Sequence, residues 1–402
     1  MTHRTQVLVA GAGIAGLAAA LGLARMGREV TVLERAEALG EVGAGLQISP
    51  NALRALDFLG VGAEVRAAGM RPEAAELRLH DSGRRVFRLP LGEAAEARWG
   101  APYLHLHRAD LHGILHAAAL SAGVRITLGE PVEALERPGA AEGETARLRT
   151  DRHEWEADLI LAADGVRSTL RVAVAGASKP LFSHNIAWRG LVPAEGLPED
   201  VSARRATVWM GLRRHLVTYP LRGGSLINFI AVEERPDWTA EGWSKPGDPR
   251  ALRAGFAGWA PPVAKLLEKV EETFLWGLFG HAPLPRWSLG RTAVLGDAAH
   301  PTTPFLAQGA AMGLEDAATL CRALETWPQA QALARWEALR KPRATRLQRA
   351  SARTGRNYHA ANRAEQWVKA TALAAFAALA PTQAQSLNGW LYSHDPAAPL
   401  SP

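Results

Sequence analysis

The chain has 402 residues, 48% of them apolar and 21% charged, which is a globular composition and excludes a disordered or fibrous protein. Its net charge of +6 comes from basic residues of which only six are Lys (Lys179, Lys245, Lys265, Lys269, Lys341, Lys369). The Arg are scattered among acids rather than gathered into an arm or stripe, which argues against a nucleic-acid partner. The single Cys, Cys321, excludes an internal disulfide and any zinc site of several thiolates. No metal is expected, and the setting is read as reducing and cytoplasmic.

The first element lies in Val7–Ala24, an uncharged run that by length alone could be a signal core or short membrane span. Four Gly interrupt it, and its period changes midway. Gln6–Ala10 is strand-like and Ile14 onward is Ala/Leu-rich and helix-like. The reading is strand, turn and helix, with no membrane span. The turn, Gly11-Ala12-Gly13-Ile14-Ala15-Gly16, has the G-x-G-x-x-G spacing. Gly11 allows the tight turn, Gly13 removes a Cβ that would block a pyrophosphate, and Gly16 lets helix and strand pack closely. The helix start then favours phosphate charge. The next strand, Glu29–Leu33, ends at Glu34, a carboxylate placed to accept ribose hydroxyls. A dinucleotide site follows, without a choice between NAD and FAD.

Two later strands also end in an acid beside Gly. Leu159–Ala163 runs into Asp164-Gly165 with a helix expected from Ser168. Arg291–Leu295 runs into Gly296-Asp297, with a helix after Gln308-Gly309. Either pair alone reads as a turn, but three acid-terminated strands on one nucleotide fold read as ligand-facing. Between them, Ala187–Val192, Ala206–Met210, Leu216–Leu221 and Leu226–Val232 read as strands of an antiparallel sheet. On that sheet His215 and Tyr219, four apart, share a face. An imidazole and a phenol so placed suit a phenolic substrate, whose proton must be accepted for the ring to become nucleophilic. The plainer reading is a core Tyr and a strand-end His. Cys321 is read as a small core residue. The apolar tail Trp367–Leu379 is read as covering the core or forming a dimer contact.

The three acid-terminated segments, in this order, resemble the single-component flavoprotein aromatic hydroxylases, the para-hydroxybenzoate hydroxylase class. The resemblance spans residues 5 to about 395. Gly43–Ala52, Leu106–Leu111, Ala187–Gly190 and Trp390–Asp395 resemble the subgroup of salicylate hydroxylases, 3-hydroxybenzoate 6-hydroxylases and 6-hydroxynicotinate 3-monooxygenases. The resemblance implies an α/β fold. A Rossmann-like FAD-binding domain (1–180 and 284–345) would carry an interleaved antiparallel-sheet substrate domain (181–283) and a helical C-terminal tail (346–402).

It further implies that Gly11, Gly13, Ala15, Gly16 and Glu34 hold the ADP half of FAD, with Arg35 beside Glu34 and Arg108 near the pyrophosphate. Asp164 would serve FAD and NAD(P)H, Asp297 the ribityl chain, and Gly309 and Ala310 the pyrimidine edge. His215 and Tyr219 would be catalytic, and Gln47, Arg189, Pro304 and Phe305 would line the substrate pocket. Where the hydroxynicotinate enzymes carry His, this chain has Gln47 and Phe305, and Gln47 is similar to the hydroxybenzoate 6-hydroxylases. Arg189 is open between a structural and a substrate role, and His300 is read as structural. Gly280-His281 replaces a common Asp-Arg pair, which predicts a missing salt bridge.

The implied activity is hydroxylation of a small aromatic such as a hydroxybenzoate or salicylate. NADH or NADPH is the reductant, O2 the oxidant and a flavin C4a-hydroperoxide the donor, in a monomer or homodimer. An FAD monooxygenase or epoxidase for a larger substrate is the alternative enzyme, and a flavin-binding redox sensor or interaction protein is the alternative outside catalysis.

Overall fold

The computed structural model describes residues 2–40, 45–140, 143–177, 179–237 and 245–401. Its first sheet is set by buried β-branched strands. Thr2–Ala10 pairs in parallel with Val30–Leu33 on one side and Glu154–Ala162 on the other, and Glu154–Ala162 pairs in parallel with Thr292–Val294. The apolar run that opens the chain is therefore split. Val7–Ala10 is a central strand, buried on both faces as parallel sheets require. Helix Ile14–Arg25 returns over the sheet as a βαβ unit. No helix among the described residues is long and apolar enough to cross a membrane.

The second sheet has nine strands, in the order Lys245–Gly247, Thr273–Gly280, Leu181–Pro193, Leu226–Glu234, Arg214–Leu221, Arg205–Leu212, Ala74–Leu79, Arg85–Pro90, with His359–Ala360 added beside Arg205–Leu212. All four strands expected in this region are present. The sheet is not confined to 181–283, however, because two strands come from residues 74–90 and one from 359–360. Arg205–Leu212 also runs parallel to Ala74–Leu79, so the sheet is mainly, not wholly, antiparallel. Ala74–Leu79 forms a local hairpin with Arg85–Pro90, but it joins this sheet only through the remote Arg205–Leu212, as His359–Ala360 does. The boundary expected at 345/346 falls inside one continuous helix, Gln329–Tyr358, which belongs to both body and tail. The helix expected from Ser168 begins at Leu170, and the Ser168 hydroxyl accepts from the Arg171 amide at 2.9 Å.

Alternation gives the second sheet two apolar faces. Ile186, Trp188, Trp209, Leu216 and Phe229 pack away from the first sheet against helices Pro249–Gly255 and Pro261–Glu268. Each such side chain contributes about 1.5–3 kcal/mol of burial. The other face, with Val208, Met210, His215, Val217, Tyr219 and Ile230, looks into a cavity. In the tail, helix Arg363–Leu379 buries Gln366 and Ala370 but leaves Trp367 66% and Leu379 88% exposed.

Candidate active site

A single cavity of 1510 Å³ runs from the first sheet to the open face of the second. At one end its wall is backbone. Helices Ile14–Arg25 and Gly309–Thr326 both begin there, neither start having a side-chain cap. Their unpaired N–H groups and positive dipole ends therefore converge on one space. Gly13, Ala15, Gly165, Asp297, Gly309, Ala310 and the Arg108 side of the wall all line it.

Gly11 does not line the cavity but makes its shape possible. Its φ is +103°, and a Cβ there would stand 2.5 Å from the Ala163 carbonyl oxygen. A Cβ on Gly16 would likewise overlap the Gly11 carbonyl. At Gly13 a Cβ would meet no protein atom, so the space it leaves belongs to the cavity. Ala307, which also lines the cavity, holds φ +53° without being glycine. Strain of this kind, about 1–3 kcal/mol, persists where surroundings over-determine it.

Glu34 accepts from the backbone N–H of Ala12 at 2.8 Å and of Ala36 at 3.0 Å, so it closes the Gly turn, and its carboxylate retains further lone pairs. Arg35 is exposed and lies outside the cavity wall. Asp164 also lies behind the wall. Its Oδ2 accepts from the amides of Thr169 and Leu170, while its Oδ1 is buried with no partner, and burial raises its pKa. The missing salt bridge has a neutral replacement. Arg171 donates to His281 Nε2 at 2.9 Å, and burial together with Arg171 pushes His281 down to about 4, so it serves as an uncharged acceptor. Arg171 also donates to the carbonyls of Ala298, Asp297 and Val166, tying the two acid-Gly segments together.

The other end is made of side chains. His215, Tyr219, Gln47, Pro304 and Phe305 all line it. His215 is 1% exposed, with the Phe305 ring 5.5 Å and the Tyr358 ring 5.2 Å away. Burial, then the neighbouring His359, holds its pKa well below the usual value, so it rests neutral with a lone pair available. Tyr219 shares its face, but four residues of strand, at about 3.3 Å each, separate the two by about 13 Å. They face opposite ends of a bound molecule and do not meet on one oxygen. Gln47 accepts from the Tyr103 hydroxyl at 2.7 Å. Arg189 is not among the residues lining the cavity; its guanidinium lies over the Trp276 ring at 5.1 Å. Gly43 and Ala44 lie outside the described residues, but Gly45 is described, and a Cβ there would meet Tyr219 at 2.5 Å.

Three features were not anticipated. All four tyrosines of the chain, Tyr103, Tyr219, Tyr358 and Tyr392, line this cavity, and the scarcity of Tyr was the available signal. His359 stands behind His215. Beneath both ends lies a buried network: Arg340 pairs with Glu315 at 2.6 Å and Asp316 at 2.9 Å, and His300 bonds Asp316 at 2.5 Å. Asn51 bridges Glu315 and Gln308 at 2.7 and 3.0 Å. Burial alone would raise the two carboxylates, yet both lie below their usual range, Glu315 through Arg340 and Arg343, Asp316 through His300 and Arg340. His300 is thus structural. Arg343 also donates to Leu391 O at 3.0 Å, which fastens the tail segment around Tyr392.

Comparison with known proteins agrees with this geometry. Residues 4–351 match the FAD binding domain family. The 3-amino-4-hydroxybenzoate 2-monooxygenase PtnB3 of Streptomyces platensis is 39% identical over 361 residues, covering 89% of each chain. A 3-hydroxybenzoate 6-hydroxylase of Polaromonas naphthalenivorans is 37% identical, covering 88% of each. Among solved structures, a salicylate hydroxylase substrate complex superposes with a TM-score of 0.81 at 26% identity, covering 98% of this chain and 97% of the other.

Proposed function

The chain belongs to the FAD binding domain family and is an FAD-dependent monooxygenase, and from that premise we propose that it hydroxylates a small phenolic aromatic acid of the hydroxybenzoate or salicylate kind. The observation that carries this reading is one continuous cavity with a backbone anion cradle at one end and a buried, neutral His215 at the other.

The residues present fit FAD. The open space at Gly13 and the two uncapped helix starts suit a pyrophosphate and an electron-rich ring edge. Gly11, Gly13, Ala15, Gly16 and Glu34 would hold the ADP half, Arg108 and Asp297 the middle of the molecule, and Gly309 and Ala310 the ring edge. Arg35 would act only as surface charge, and Asp164 through the loop that presents Gly165. When bound and reduced by NADH or NADPH, FAD supplies the activation of O2.

The chain's own residues prepare the substrate. His215 accepts the phenolic proton, which raises electron density on the ring. Phe305, Pro304 and Tyr358 keep water from the reacting carbon, and Tyr219 with the Tyr103–Gln47 pair holds the far end. The protein is read as a monomer or homodimer in a reducing cytoplasm.

The test is a screen of aromatic acids for stimulated NAD(P)H oxidation by the yellow, flavin-loaded protein, with mass analysis of the product. A product heavier by one oxygen supports the reading. A protein that cannot be loaded with FAD, or that no phenolic acid stimulates, overturns it.

A further inference from the structure

Behind His215 the wall of the cavity continues outward through two side chains that the proposed reaction does not use, His359 and Glu234. His215 Nδ1 lies 2.8 Å from His359 Nε2, and His359 Nδ1 lies 3.1 Å from Glu234 Oε1. His215 and His359 are 1% and 7% exposed, whereas the Glu234 side chain is 34% exposed. The series therefore starts at the cavity and ends at solvent. Its members come from three segments locked by backbone. His359–Ala360 pairs with Gly211–Leu212, Arg213 N–H donates to Ala360 O at 2.9 Å, and Lys369 Nζ donates to His359 O at 3.1 Å.

We propose that His215, His359 and Glu234 form a proton relay that carries the phenolic proton of the substrate from the cavity to solvent. The proposal rests on the reading of His215 as the base. The bonding order fixes the tautomers. An ionised Glu234 can only accept, so His359 donates from Nδ1 and is left with a lone pair on Nε2. That lone pair accepts from His215 Nδ1–H. His215 Nε2, which makes no hydrogen bond among the described residues, then carries the lone pair on a ring that faces the cavity.

Proton transfer along this series balances at every step. The phenolic O–H bond breaks as the His215 Nε2–H bond forms. His215 Nδ1–H breaks as His359 Nε2–H forms, and His359 Nδ1–H breaks as the Glu234 Oε1–H bond forms. Glu234 releases the proton to water, and the reverse sequence can return one to the product. The relay answers a physical difficulty. A proton left on His215, enclosed by the Phe305 and Tyr358 rings, would be a buried cation with no anion in contact, which is costly. Passing the charge outward removes it. The charged groups facing the series are Arg213 in the turn before the strand of His215, Arg214 on that strand, Glu233 beside Glu234, and Lys369 with Glu365 on the helix packed behind His359. His359 and Glu234 are positioning residues here, since they reach the substrate only through His215.

The test uses the FAD-loaded enzyme with 3-hydroxybenzoate as the probe, and compares Glu234→Ala, His359→Gln and His215→Ala. Glu234 is partly exposed, so its variant keeps the test usable if His359→Gln folds poorly. The relay predicts that kcat of Glu234→Ala falls about tenfold or more, within the reach of positioned proton transfer, while KM for the aromatic acid and FAD content stay within about twofold. Added formate should restore kcat to Glu234→Ala and not to His215→Ala, and the pH profile of Glu234→Ala should shift. If His215→Ala is impaired while the other two turn over normally, His215 remains the base and the relay falls. If His215→Ala turns over normally, the base reading falls and the relay with it. A loss in Glu234→Ala that formate does not relieve, with an unchanged pH profile, marks a structural residue and overturns the relay. Ring-nitrogen NMR gives a readout that needs no turnover. Neutral His215 should carry its proton on Nδ1, and a proton on Nε2 overturns the proposal.

Discussion

The two ends of the cavity are made of different material. At the nucleotide end the wall is peptide backbone, shaped by Gly11, Gly13 and Gly16 and by two helix starts. At the aromatic end it is side chain, with His215 and Tyr219 from one strand, Phe305 from a short turn, and Tyr358 and Tyr392 from the tail. A backbone wall is specific to the shape of a cofactor and indifferent to most substitutions other than at its glycines. A side-chain wall can be re-cut for a new substrate without touching the fold. The difference explains how relatives acting on different aromatic acids share this chain's length and cofactor domain.

Each prediction presses on that contrast. The largest effect should come from the network under both ends. Arg340→Met removes the buried cation that Glu315 and Asp316 share, leaving Glu315 only Arg343 and Asp316 only His300, at a cost of about 3–5 kcal/mol, and thermal melting should fall steeply. A melting point close to the unsubstituted protein would mean that the ends stand independently. Next is Gly11→Ala, which puts a Cβ into the Ala163 carbonyl at positive φ. FAD retention should be lost while the second sheet keeps its packing, read by flavin content and by near-ultraviolet dichroism of its Trp residues. Retained flavin would show that the backbone wall is more forgiving than described. His215→Ala should do the opposite, leaving FAD content intact and lowering coupled hydroxylation by about 10²-fold or more. Equal loss of both would erase the distinction between the ends.

Smaller effects concern protons. His215 lies below its ordinary pKa, as do the buried His105, down to about 3, and His281 and His394, down to about 4, burial being the main cause in each. The folded chain refuses protons that the unfolded chain takes up near pH 6.5. Stability should therefore begin to fall as pH drops through about 6.5, and fall further near pH 4 as Glu315 and Asp316, depressed when folded, are protonated in the unfolded chain. Melting temperature against pH checks this, and a flat curve between pH 7 and 5 would contradict it. Least of all should respond Cys321. Buried against Gly22, its thiol is pushed up to about 12, so thiol reagents at neutral pH should leave the native enzyme unlabelled and active.

The parts of the site legible in the sequence were those coded by neighbours along the chain. The Gly turn, Glu34 and the Gly296-Asp297 turn are local geometries, and local geometry is written in adjacent residues. The common face of His215 and Tyr219 was legible for the same reason, since strand alternation is a rule of adjacent residues, but the distance between them along the strand keeps them off a common oxygen. Arg189 stays open in the sequence because nothing nearby says that its guanidinium lies over Trp276, from another strand. The docking of Ala74–Leu79 on Arg205–Leu212, the Arg340 network and the His215–His359–Glu234 series were invisible, each joining segments far apart.

By itself, then, the amino-acid order determined the nucleotide turn, the βαβ start, the FAD family and the four central strands of the second sheet, because these depend on residue period and on glycine at fixed offsets. Only the tertiary structure decided which side chains share the aromatic end and which carboxylate lies beyond His215 and His359. Those contacts form when distant segments pack, and a hydrogen bond between His215 and His359 has no signature in either segment alone.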